Sequence, residues 1–226
     1  MTKKIFITGC AKSGTTLLLR MCYAFKNTDV LYRRGFNGHE LTLSEFMNVK
    51  TDKKFLIGKR LPPFVLSNTE DETFEDQVSW IRKQNIGIVN VIRDGRDVVL
   101  SDGNYVKPKR WIDSMKQRYK YSDIIDMEVK YEDLVRHPNS IQDNMCNIFG
   151  IQKQNHFSDY PDYVKDWVYD WNVSVQARAG KGDETDYGKR RLSDKGVGKD
   201  LNAYKSLCES SEILDFEEQL RVSRYI

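Results

Sequence analysis

The sequence predicts an α/β fold in three layers, a central parallel sheet flanked by helices on both faces, of the type that binds nucleotides through a phosphate loop. Three observations predict it. Strand and helix patterns alternate along the chain, strand candidates include continuous apolar runs, and the first strand runs into a Gly-rich turn that opens a helix. At 226 residues, 39% hydrophobic and 31% charged, the chain is expected to form a single domain over residues 1–226.

Ile5-Phe6-Ile7 is the centre of that first strand, and it leads into Gly9-Cys10-Ala11-Lys12-Ser13-Gly14-Thr15-Thr16. Such a turn aims several backbone N–H groups at one point, and the positive end of the following helix reinforces them, so the point attracts a phosphate-like anion. The common nucleotide-triphosphatase loop, G-x-x-x-x-G-K-[ST], carries its lysine directly after the second Gly. Thr15 holds that slot here, and the lysine stands inside the loop as Lys12. Its cation is therefore expected over the near end of a short phosphate chain.

Thr15 to Phe25 is expected to be helical, with Leu17, Leu18, Met21 and Phe25 as its buried stripe. Thr42 with Glu45 forms a capping box for a short helix, and Thr69 with Glu72 another for a helix ending near Arg82. Between them Phe55-Leu56-Ile57-Gly58 reads as a short strand. Ile86 to Ile92 reads as a buried strand running straight into Arg93-Asp94-Gly95-Arg96-Asp97-Val98-Val99-Leu100-Ser101. Ile124 to Val129 reads as another strand, followed by Lys130-Tyr131-Glu132-Asp133-Leu134. Pro138 fits the first turn of a helix carrying Ile141, Met145, Ile148 and Phe149, with Gly150 as its stop. Asp162 to Trp171 spaces Val164, Trp167, Val168 and Trp171 along one helical face, and Leu201 to Tyr225 reads as helix. From Val173 to Lys199 the chain holds five of its fourteen glycines and seven Lys or Arg. That stretch is too polar to pack a core and is expected to be a mobile lid or binding loop.

Lys12-Ser13-Gly14-Thr15-Thr16 closely resembles the 5′-phosphosulfate loop of the sulfotransferases that use 3′-phosphoadenosine 5′-phosphosulfate (PAPS). Arg93 and Ser101 repeat that family's spacing of a strand-end Arg and a Ser eight positions later, and Tyr131-Glu132-Asp133-Leu134 resembles its strand-end Tyr segment. A fainter similarity lies in Arg190 to Lys199, where the family places a basic loop over the 3′-phosphate. The resemblance implies a donor site in which Lys12, Ser13, Gly14, Thr15 and Thr16 hold the 5′-phosphate. Arg93 and Ser101 would hold the 3′-phosphate, Tyr131 would lie near the adenine, and Arg191 and Lys199 would close over the nucleotide. It further implies that Lys12 is catalytic, stabilising the charge that the leaving phosphate gains, with adenosine 3′,5′-bisphosphate as product and no metal required. A guanidinium fork and a hydroxyl can converge on one phosphate across a turn and one to two turns of helix.

Two departures from the family's animal cytosolic members concern the base and the adenine. Gly58-Lys59-Arg60-Leu61-Pro62 places Arg60 where those enzymes carry a basic His, and a guanidinium does not accept a proton at neutral pH. Other branches use a Glu after the first helix, which makes Glu40, with His39 beside it, the candidate general base. Leu17 stands where those relatives stack adenine on a Trp.

The formal charge of +3 is mild, which argues against a nucleic-acid partner, and no run of about eighteen apolar residues suggests a membrane span. Without a leader-like start, a cytoplasmic location is expected. Cys10, Cys22, Cys146 and Cys208 lack metal or redox spacing and are expected to be reduced thiols, with Cys10 at a helix N-terminus where thiolate is favoured. The acceptor implied is a small molecule or saccharide offering a hydroxyl or amine. Two alternatives stay open at this point: a P-loop phosphotransferase (kinase), and a non-catalytic module binding a nucleotide or sulfated ligand.

Overall fold

The computed structural model describes residues 2–31, 43–60, 74–100 and 108–160. Among them, five strands form one parallel sheet: β1 (Lys3–Gly9), β2 (Thr28–Leu31), β3 (Phe55–Lys59), β4 (Gly87–Ile92) and β5 (Met127–Lys130), in the spatial order β2-β3-β1-β4-β5. The central β1 pairs with β3 from Lys3↔Phe55 and with β4 from Ile5↔Gly87. Helices α1 (Thr15–Met21), α2 (Leu43–Asn48), α3 (Phe74–Gln84), α4 (Gly95–Leu100), α5 (Pro108–Lys120), α6 (Tyr131–Arg136) and α7 (Pro138–Phe149) and 3₁₀ turns over Cys22–Ala24, Ser122–Ile124 and Phe157–Asp159 complete the described elements.

Side chains alternate across each strand, so β1 serves both faces. Ile5 and Ile7 join Leu17, Leu18, Leu19 and Met21 of α1 and Ile141, Met145 and Phe149 of α7 in one buried cluster. Phe6 points the other way, into a cluster with Phe46 of α2, Ile81 of α3, Leu56, Ile88 and Tyr121. A third cluster packs Trp111, Ile112 and Met115 of α5 against Cys10, Ala11 and Val98. This is the expected three-layer α/β arrangement, and its continuous apolar strands follow from burial on both faces. Each fully buried Leu or Ile contributes about 1.5–3 kcal/mol relative to its exposed state.

Several boundaries differ from the sequence expectation. The helix expected through Phe25 ends at Met21. A 3₁₀ turn over Cys22–Ala24 follows, and Phe25 is extended and bridged to Lys153. All four residues of the expected stripe are buried, and Leu19 with them. The strand expected from Ile124 begins only at Met127. Ser122–Ile124 is a 3₁₀ turn, and Asp126 turns its carboxylate to the N–H of Ile88 at 2.7 Å while its own N–H donates to the Ile88 carbonyl at 3.0 Å. Helix α7 begins at Pro138 and ends at Gly150 as expected, but Ile148 lies on its outer face, 45% exposed.

Strand β2 and helix α5 are additions to the sequence reading. The four residues of β2 are only half-buried at the sheet edge, and α5 interleaves Trp111, Ile112 and Met115 with many charges. Lys4 is another surprise: it is 9% exposed, and its ammonium donates to the carbonyls of Phe46 at 3.2 Å, Val49 at 3.1 Å and Met47. Three donors meet three acceptors around the C-terminal end of α2, which ties that helix to β1. Burial holds the Lys4 pKa below the usual lysine value.

The capping residues Thr42, Thr69 and Glu72, the helices expected at 162–171 and 201–225, and the lid expected at 173–199 lie outside the described residues. No helix among the described residues is long and apolar enough to cross a membrane.

Candidate phosphate-binding site

The order β2-β3-β1-β4-β5 reverses direction at β1, so the chain leaves β1 and β4 toward opposite sides of the sheet. In open α/β sheets the crevice at such a reversal, outside the carboxyl ends of the strands, is where ligands bind. The Gly-rich loop and Arg93 sit there, following Gly9 and Ile92.

The loop's path is set by close approach and by handedness. Gly9 lies opposite Val91 with φ 150°, and a Cβ on it would come within 2.3 Å of the Val91 carbonyl oxygen. Only glycine lets the two strands separate into the loop at that point. The N–H of Ser13 returns to the Cys10 carbonyl at 3.1 Å, Lys12 takes a left-handed conformation at φ 71°, and Gly14 another at φ 99°. From Gly14 the chain enters α1, whose first intrahelical bond is Leu18 N–H to the Gly14 carbonyl at 3.0 Å. Among the described residues no side chain caps this helix start, which leaves the first-turn N–H groups open to an anion.

Within the loop the hydroxyls divide by exposure. Thr15 is 3% exposed, with its methyl 3.1 Å from where a Gly9 Cβ would stand, whereas Thr16 and Lys12 are partly exposed. Ser13 is completely buried, and among the described residues its Oγ has no hydrogen-bond partner. A buried hydroxyl left without a partner costs about 1–3 kcal/mol, so the loop holds an unmet polar group that an anion's oxygen can satisfy.

Arg93 reaches the loop from the neighbouring strand end. Its Nη1 donates to the Lys12 carbonyl at 3.1 Å, its guanidinium carbon lies 4.2 Å from the centroid of the Tyr131 ring, and its Nε stands 3.9 Å from Asp97 Oδ2. Trp111 of α5 fixes the backbone from behind by donating Nε1–H to the Arg93 carbonyl at 3.1 Å. Tyr131 is the first residue of α6, directly after β5, and is 4% exposed. Its ring covers Gly14 so closely that a Cβ there would meet Cδ2 at 2.5 Å.

The structure thus brings Lys12, Ser13, Gly14, Thr15, Thr16, Arg93 and Tyr131 into one locus, while Ser101, His39, Glu40, Arg191 and Lys199 lie outside the described residues. Asp97 and Trp111 were missed by the sequence reading. Asp97 had a signal, its i,i+4 spacing from Arg93, whereas Trp111 had none. An open cleft of about 460 Å³ between α6, α7 and Ser158 shares no lining residue with this locus.

Cys10 requires a correction. The helix terminus was expected to favour its thiolate, but the side chain is 1% exposed and burial pushes its pKa up to about 11. The Ser114 hydroxyl and the Arg110 charge oppose that shift without cancelling it. Desolvation of the anion outweighs the helix end because no water reaches the sulfur. At pH 8 iodoacetamide should therefore modify native Cys10 at least about 100-fold more slowly than an unfolded thiol. Peptide mass spectrometry showing rapid modification would contradict this burial.

No protein-family model and no curated protein matches the sequence. Solved structures do. Mouse sulfotransferase SULT7A1 complexed with PAP superposes with a TM-score of 0.53 at 11% identity, over 98% of this chain and 87% of that one. Retinol dehydratase in complex with androsterone and inactive cofactor PAP gives 0.46 at 12%, over 96% and 79%. Its complex with retinol and PAP gives 0.47 at 12%, over 96% and 80%. At such identity the likeness concerns architecture: this chain has the α/β fold of the PAP-bound mouse sulfotransferase.

Proposed function

We propose that the chain is a sulfotransferase that moves a sulfuryl group from PAPS to a hydroxyl or amine of an acceptor, either a small molecule or a saccharide. The observation that carries this reading is the loop with its lysine inside it, joined at the sheet's reversal point by the guanidinium of Arg93. A Ser13 hydroxyl unmet and an α1 start uncapped among the described residues suit a phosphosulfate.

PAPS, when bound, supplies an activated sulfuryl group whose departure leaves charge on the 5′-phosphate. In this reading Lys12, the loop N–H groups and the partly exposed Thr16 stabilise that charge, as preorganised donors do in other transfer enzymes. Gly14 and Thr15 shape the loop. Arg93, with Ser101, holds the 3′-phosphate, Tyr131 stands at the adenine end, and Arg191 and Lys199 cover the nucleotide from the proposed 173–199 lid. Glu40 takes the acceptor's proton, with His39 beside it. None of these roles calls on a metal.

Adenosine 3′,5′-bisphosphate should raise the melting temperature without added metal, and AMP should do so much less, because ligand that binds only the native state stabilises it by mass action. A shift from ATP with Mg²⁺ and none from the bisphosphate would sink the reading in favour of a phosphotransferase. Glu40→Gln should lower kcat by about 10²-fold with little change in PAPS affinity. Near-normal kcat in the folded variant would remove Glu40 from the mechanism.

A further inference from the structure

Arg93 is built into the phosphate loop as well as placed beside it. Its side chain is only 10% exposed: Nη1 donates to the Lys12 carbonyl, the face lies over the Tyr131 ring, and Nε, 3.9 Å from the Asp97 carboxylate, makes no hydrogen bond among the described residues. The same Tyr131 ring lies against Gly14. Residues from three strand ends therefore converge on a loop with two left-handed positions, Lys12 and Gly14. A non-glycine residue in that conformation persists where its surroundings over-determine it, and the bond to the Lys12 carbonyl is one such constraint.

We propose that Arg93 and Tyr131 are positioning residues for Lys12. Arg93 fixes the Lys12 peptide and with it the point from which the lysine side chain starts. Tyr131 is the surface on which Arg93 and Gly14 both rest. The consequence is a mechanical link between two anion contacts: a phosphate that engages the Arg93 fork also loads the peptide of Lys12. The planar fork matters here, since a lysine at position 93 cannot stack on a ring and donate sideways in one geometry. The proposal rests on the phosphate-loop part of the functional reading, and its test needs neither donor turnover nor an acceptor.

Hydrogen exchange on the ligand-free full chain reads the link directly. Amides of residues 10–16 should exchange at least about fivefold faster in Arg93→Ala, in Arg93→Lys and in Tyr131→Leu. Tyr131→Phe, which keeps the ring, should restore the wild-type rate, and α7 amides should be unchanged throughout. Affinity for AMP, which has no 3′-phosphate, should also fall about fivefold in Arg93→Lys, whereas a residue serving the 3′-phosphate alone leaves it unchanged. Loop exchange at the wild-type rate in Arg93→Lys overturns the proposal. So does acceleration that spreads equally to α7, or an AMP affinity equal in the two proteins, zero included. None of these outcomes touches the sulfotransferase reading, which stands or falls on the bisphosphate shift and on turnover.

Discussion

Lys12→Ala should lower kcat by about 10²–10³-fold while weakening adenosine 3′,5′-bisphosphate only moderately. The asymmetry follows from when the charge appears. Interactions that strengthen as charge develops lower the barrier, whereas those present equally in the bound ground state lower KM. Lys12 is the partly exposed cation of a loop whose remaining donors are backbone groups and hydroxyls. In the proposed reaction its removal would leave the developing charge to weaker dipoles. Lys and Ala both carry a Cβ, so the left-handed backbone at φ 71° burdens them similarly and the substitution tests the ammonium. Single-turnover kinetics alongside calorimetric binding would separate the two effects. A kcat within threefold of wild type would exclude Lys12 from catalysis, and a loss confined to binding would make it an anchor.

Gly9→Ala should be the most damaging small substitution in the described residues, costing roughly 3 kcal/mol or more, or preventing folding. The new methyl would stand 2.3 Å from the Val91 carbonyl oxygen, a backbone atom held by the β1–β4 ladder. Relief requires pulling the two strands apart where the sheet's central pair ends, and this distorts the loop that follows. For a chain of this size such a loss corresponds to a fall in melting temperature of about 6–12 °C. Urea unfolding measures it, and a change below about 0.5 kcal/mol would show that the strands are less tightly apposed than described.

Much of the fold was legible because the strands are two-sided. Ile5-Phe6-Ile7 and Phe55-Leu56-Ile57 are continuous apolar runs, Ile86 to Ile92 is interrupted by one polar side chain, the buried Asn90, and such runs fit strands covered by helices above and below. The loop was legible because glycine and an internal lysine at fixed spacing have few other uses. Elements without such a signature escaped. Strand β2 is half-buried, and the charges of α5 obscure an inward face set by Trp111, Ile112 and Met115. Its partner, the third cluster, is assembled from the loop and α4, which periodicity within one segment does not reveal.

By itself, the sequence determined the α/β class, the strand–loop–helix proposed as an anion site, and the residue types available to it. Those are local properties, fixed by side-chain period and by the backbone freedom of glycine. Only the tertiary structure decided that Arg93 bonds the Lys12 carbonyl, that Tyr131 lies across Gly14, that Lys4 is buried under α2 and that Cys10 is kept protonated. Each of these depends on desolvation or on contact between segments far apart in the chain. Strand order and helix packing create both, and no local pattern encodes them.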